Sequence, residues 1–161
     1  MIILLMGVSG SGKTTIGEML AKSLNWGFSD ADEYHPKANI EKMRQGTPLN
    51  DADRQPWLEA MQRAIDQWLQ EDRNMVLTCS ALKEAYRQML LRDKERMRLV
   101  YLKGSYELIK QRLDRRPHHY MKVDMLQSQF DALEEPQEGT TVNISLPPEV
   151  IVQQIRESLG I

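Results

Sequence analysis

Several things are scarce in this chain of 161 residues, and each scarcity narrows what it can be. Cysteine occurs once, at Cys79, so neither an intrachain disulfide nor a cysteine-cluster metal site can form, as expected of a protein kept in a reducing compartment. No apolar run approaches the ~18 residues of a membrane span; the opening MIILLM is short and leads into glycine and lysine rather than a cleavage pattern. A cytoplasmic protein is expected. No charge sign dominates: 21 Lys and Arg against 23 Asp and Glu leave a formal net charge of -2, which argues against a general nucleic-acid surface. Any anionic ligand must then be held by a few local cations. Three histidines without helical or paired spacing make a poor zinc set. Internal repeats, low-complexity tracts and Gly/Ser-rich linkers are absent, and the expectation is one domain over residues 1–161.

What is present alternates. IILLM has the length and branching of a buried parallel strand, and Ile16, Leu20 and Leu24 then fall on one helical face. WGFSDADE reads as a second short strand ending in acids. Pro36 suits the first turn of a helix running to about Gly46, and Asp51 or Asp53 can cap the next, whose apolar stripe is Leu58, Met61, Ile65 and Trp68. NMVLTCSA and MRLVYLKG are further strands, each followed by a helical pattern; a helix carrying Leu126, Phe130 and Leu133, then TTVNISL and a helix with Ile151, Ile155 and Leu159, complete the chain. Strand and helix in repeated alternation mean parallel strands joined by right-handed crossovers, an α/β sheet with helices on both faces. Ligands of such sheets bind at the strands' carboxyl ends.

The chemistry sits first in GVSGSGKTT, residues 7 to 15, between the first strand and the first helix. Gly7, Gly12, Lys13 and Thr14 match the P-loop spacing G-x-x-x-x-G-K-S/T in the context that motif requires. Converging backbone amides from Gly7, Val8, Ser9, Gly10, Ser11, Gly12, Lys13, Thr14 and Thr15 can wrap a phosphate chain, because glycine removes side chains from the approach and permits positive φ. The helix start adds unpaired N–H groups and a positive dipole end. Lys13 is the expected charge on the β and γ phosphates of ATP, and the Thr14 hydroxyl the expected ligand of Mg²⁺.

Nucleoside triphosphate binding leaves the use of the nucleotide open. Switches and motors of this class end their third strand in a metal-holding carboxylate, whereas here that strand ends in Cys79 and Ser80. Acids stand instead after the second strand. Asp30 and Asp32 share a face if the backbone is extended, so that Asp30 can hold a metal through water and Asp32 can accept a proton from a substrate hydroxyl; the same acids can simply cap the following helix.

Taken in order, GVSGSGKTT, DADEYHPKANIEKMRQGTPLNDADRQPWL, CSALKEAYRQMLL, VYLKGSYELIKQRLDRR and HHYMKVDMLQSQFDALEEP resemble the small gluconokinases of the P-loop kinase superfamily over nearly the whole chain. The resemblance implies a five-stranded parallel sheet related to shikimate and nucleoside monophosphate kinases, a helical substrate insert at about 32–70, a lid near 115–128, and a homodimer. The implied reaction is phosphorylation of D-gluconate by ATP. At His118 the chain departs from the family's pattern, which has glycine before the lid histidine.

A sugar acid needs a cation for its carboxylate and polar side chains for its hydroxyls. Asp32 is the candidate base or hydroxyl orienter and His35 a candidate hydroxyl partner; Arg54, Lys83 and Arg87 are candidates for the carboxylate. Arg112, Arg115 and Arg116 cluster at the expected lid hinge, where Arg112 and Arg116 are candidates for the triphosphate, and His119 is a candidate for phosphate or substrate. Trp57 reads as packing inside the insert. The competing readings are a related kinase for shikimate, adenylylsulfate or a nucleoside monophosphate, and a non-catalytic nucleotide switch.

Overall fold

The computed structural model describes residues 1–115 and 123–161. Five strands, β1 (Ile2–Met6), β2 (Gly27–Asp30), β3 (Met75–Cys79), β4 (Met97–Lys103) and β5 (Thr140–Asn143), form one sheet in the order β2-β3-β1-β4-β5. Every pairing is parallel, with Leu4 level with Leu77 on one side and Leu99 on the other. The helices are α1 (Lys13–Leu24), α2 (Lys37–Arg44), α3 (Asp51–Gln70), α4 (Glu84–Leu90), α5 (Tyr106–Asp114), α6 (Val123–Ala132) and α7 (Pro148–Leu159). The expected α/β architecture is the one observed. Among the described residues no helix is long and apolar enough to cross a membrane.

β1 is the central strand, and all five of its residues are fully buried. Because neighbouring side chains leave a strand on opposite faces, this continuous apolar run feeds two cores at once. Ile3 and Leu5 pack with Ile16 and Leu20 of α1 and Ile151 and Ile155 of α7. Ile2, Leu4 and Met6 pack with Leu58, Met61 and Ile65 of α3 and Leu90 of α4. Each such side chain stabilises the fold by ~1.5–3 kcal/mol relative to exposure, so the two layers together anchor the carboxyl end of β1, where the phosphate loop departs.

α1 lies very close to the sheet. A Cβ on Gly17 would stand 2.5 Å from Thr78 Cγ2 and 2.9 Å from Phe28 Cε2, so only glycine permits this spacing.

Local boundaries differ from the sequence reading in three places. β2 stops at Asp30, and Ala31–Tyr34 form a 3₁₀ turn whose N-cap is Asp30; the acids end the strand instead of extending it. Pro36 precedes α2 as its N-cap rather than entering the first turn. Helix α3 is capped by Asn50, not by Asp51 or Asp53. Asn50 Oδ1 accepts from the Asp53 amide at 2.7 Å while Asp53 Oδ2 accepts from the Asn50 amide at 3.0 Å, a reciprocal box that needs its acid three residues inside the helix.

Candidate active site

The phosphate end is built on backbone. After β1 the chain passes through Gly10 and Gly12, with φ of 83° and 93°, values that favour glycine, and enters α1 at Lys13. Ser9, Gly10, Gly12, Lys13, Thr14 and Thr15 line an open cavity of about 260 Å³ at the carboxyl edge of the sheet. Gly7, Val8 and Ser11 do not line it; Val8 and Ser11 are buried beneath the loop. The Lys13 ammonium curls back over its own loop, donating to Gly7 O at 2.9 Å and Val8 O at 3.1 Å. The Ser9 amide donates to Gln129 Oε1 of α6 at 2.6 Å.

Beside the loop stands an acid corner. Thr14 Oγ1 donates to Asp30 Oδ2 at 2.9 Å, while Asp30 Oδ1 accepts from the Asp32 amide at 2.9 Å. Asp30 therefore fixes the turn that carries Asp32 and reaches α1 with its other oxygen; the capping role and the site role belong to one side chain. Burial raises the Asp32 carboxyl above the usual range, the neighbouring Asp30 adds to this, and Lys13 opposes it. Cys79 closes the floor with a thiol that burial pushes up to about 12, so it stays protonated.

A hydroxyl and a carboxylate oxygen 2.9 Å apart, next to phosphate-binding amides, fit a hard cation such as Mg²⁺, which keeps several waters and takes few protein ligands. Among the described residues no group of three His, Cys, Asp or Glu side chains is placed to hold a metal.

The acceptor end is built from side chains of the segment between β2 and β3. His35 stacks on Trp57 with ring centroids 4.4 Å apart and planes 8° from parallel. Trp57 is locked in turn by donation from Nε1 to Ala31 O at 2.7 Å. Asn39 Nδ2 lies 2.7 Å from Asp53 O and 3.2 Å from His35 Nδ1, and Lys42 pairs with the Asp53 carboxylate at 2.9 Å. The junction of α2 and α3 thus holds Arg54 and Trp57, one turn apart, against the cavity. Desolvation, with Arg54 nearby, lowers the His35 pKa to about 4, so the imidazole is neutral. Arg54 Nη1 donates to Tyr86 Oη at 3.4 Å, and that hydroxyl donates to Asp51.

Asp32, His35 and Arg54 accordingly meet Lys13, Thr14 and Asp30 in one cavity. Three other candidates do not join them. Arg87 is buried, and its guanidinium donors go to the carbonyls of Ala81, Leu82 and Glu134 and to the Glu84 carboxylate, which leaves no N–H for a ligand. The spacing placed it on a helix but could not show which side faced the protein. Lys83 pairs with Asp51 at 2.8 Å outside the cavity lining, and Arg112 donates to Ile144 O at 2.5 Å. Arg116 and His119, with the rest of the 116–122 stretch of the expected lid, lie outside the described residues.

Sequence reasoning missed the wall formed by Trp57, although its i+3 offset from Arg54 marks the shared face. It also missed Gln129, whose contact with Ser9 spans 120 residues and has no local signal.

Comparison with known proteins identifies the family and the fold. The shikimate kinase family profile matches residues 9–140. A probable gluconokinase of Dictyostelium discoideum is 44% identical over 89% of this chain and 74% of its own length. A sugar kinase from Janibacter, solved without ligand, superposes with a TM-score of 0.92 at 37% identity, covering 99% of this chain and 94% of that one. A gluconokinase from Sinorhizobium meliloti superposes at 0.86 and 36% identity, over 98% and 90% of the two chains.

Proposed function

The chain belongs to the gluconokinase family, and from that premise we propose that it transfers the γ-phosphoryl group of ATP to the terminal hydroxyl of D-gluconate, giving ADP and 6-phosphogluconate. The observation that carries this reading is the single cavity in which phosphate-loop amides, the Thr14–Asp30 pair, Asp32 and the Arg54–His35–Trp57 group all meet.

Amides of Ser9, Gly10, Gly12, Lys13, Thr14 and Thr15 and the Lys13 ammonium bind the β and γ phosphates, and the Lys13 charge offsets the charge that develops as the bridging oxygen leaves with ADP. Thr14 and, through water, Asp30 would hold Mg²⁺, which would supply neutralisation of the phosphate charge. Asp32 accepts a hydrogen bond from the terminal hydroxyl, aims its oxygen along the line of the breaking bond, and receives the proton as the new P–O bond forms. A carboxyl held above the usual range is a better proton acceptor than a solvated acid. Arg54 is the cation for the gluconate carboxylate, and His35 and Trp57 flank the polyol chain.

The test is ADP release in magnesium buffer with no acceptor, gluconate, shikimate, adenylylsulfate or a nucleoside monophosphate. Slow release alone and strong stimulation by gluconate are expected. Equal turnover with and without gluconate would overturn the assignment.

A further inference from the structure

One buried polar side chain has no part in the chemistry above. Asn39 is almost wholly enclosed, at 3% exposure, and a single atom of it, Nδ2, contacts both Asp53 O at 2.7 Å and His35 Nδ1 at 3.2 Å. A backbone carbonyl only accepts, so the group facing Asp53 must be the NH₂ and not the amide oxygen. Its two hydrogens then serve two acceptors. One is Asp53 O; the other is His35 Nδ1, which can accept only if it carries no proton. In a neutral imidazole the proton must reside on Nε2.

We propose that Asn39 is a positioning residue that fixes His35 in its Nε2–H tautomer, so that the acceptor end presents a hydrogen-bond donor to an oxygen of the sugar acid. Asn39 touches no reacting atom; it acts through the imidazole. Among the described residues, Nδ1 is the only ring nitrogen of His35 with a hydrogen-bond partner, and the ring lines the cavity while stacked on Trp57. Stacking sets the plane of the ring and Asn39 sets its protonation pattern; together they determine both direction and polarity of the group offered. A donor recognises hydroxyl and carboxylate oxygens alike, which is the chemistry of a polyhydroxy acid. This step rests on the gluconate reading only for the identity of that oxygen.

The chain has three histidines, so the imidazole nitrogens of ¹⁵N-labelled protein are few enough to assign, with a His35→Gln variant identifying the pair from His35. Unaltered protein at neutral pH is expected to show Nε2 protonated and Nδ1 bare. The informative variant is Asn39→Asp. An acid oxygen in place of Nδ2 has at most one hydrogen; if it gives that to Asp53 O, a lone pair faces His35, and if it is ionised it again offers only lone pairs. In both cases Nδ1 must take the proton; were the hydrogen given to Nδ1 instead, the native pattern would persist, and a raised gluconate KM at a native pattern overturns the proposal. The ¹⁵N pattern should invert or become that of an imidazolium, and the KM for gluconate should rise about tenfold while the KM for ATP stays within twofold. In a His35→Ala background, Asn39→Asp should add little to the gluconate KM, because the route of its effect is gone. A protonated Nδ1 in the unaltered protein overturns the proposal without involving any variant. So does an Asn39→Asp effect on gluconate KM that persists at full size without His35. If the ¹⁵N pattern is as stated but gluconate is not phosphorylated, the tautomer lock stands and the substrate reading fails.

Discussion

At the phosphate end of the cavity the donors are backbone amides between a buried strand and a helix start, with one lysine folded over them. At the acceptor end they are side chains drawn from the 3₁₀ turn, α2 and α3, each held by another: Trp57 by Ala31, His35 by Trp57 and Asn39, Asn39 by Asp53, Asp53 by Lys42. The first needs one short motif, in which glycines set the turn and only Lys13 and Thr14 act through their side chains. The second needs a chain of contacts, so a change in one member disturbs the next.

The largest expected effect separates the two ends from the phosphate side. Lys13→Ala should lower kcat by about 10³-fold with an unshifted melting temperature, measured by ADP release and circular dichroism. Asp32→Asn tests the boundary: kcat should fall about 10²-fold with the KM for ATP retained, and a rise in that KM at constant kcat would place Asp32 with the phosphates. At the acceptor end, Arg54→Ala should raise the KM for gluconate by about 10- to 100-fold and leave the KM for ATP within twofold. Its counterpart Arg87→Ala should leave the remaining protein's gluconate KM near normal but cost about 3 kcal/mol of stability in urea unfolding, since it strands three carbonyls. The smallest effect is a pH dependence. Above pH 6.5 His35 is neutral folded and unfolded and contributes nothing to the slope. As pH falls from 6.5 to about 4 the unfolded chain takes up a proton that the native site refuses, so stability is lost across that window. His35→Gln should flatten unfolding curves measured between those pH values.

The same contrast explains what the sequence could reveal. The order of strands and helices was legible because apolar periodicity is local, and MIILLM reads as a central strand because it is apolar on both faces. The phosphate loop was legible because its function resides in backbone conformation, which glycine spacing encodes directly. The cap of α3 was misplaced because Asn50, Asp51 and Asp53 are all good capping residues and only three-dimensional reciprocity singles out one. Arg87 was misread for a related reason. An arginine on an amphipathic helix has no mark in sequence for whether its guanidinium meets solvent, ligand or carbonyls, and its partner Glu134 lies 47 residues away. Trp57 was treated as packing because a core residue and a cavity-wall residue are alike in composition; it is both, being 2% exposed and still part of the cavity wall.

The contact between Ser9 and Gln129 carries a consequence for the occupancy of the phosphate loop. That amide already has an occupant, a carboxamide oxygen belonging to α6. An incoming phosphate that claims the same N–H must displace that carboxamide, so one acceptor at the loop is exchanged for another while Leu126 and Phe130 keep α6 packed on the core. The loop's first amide is thus covered by protein until a stronger acceptor replaces the cover.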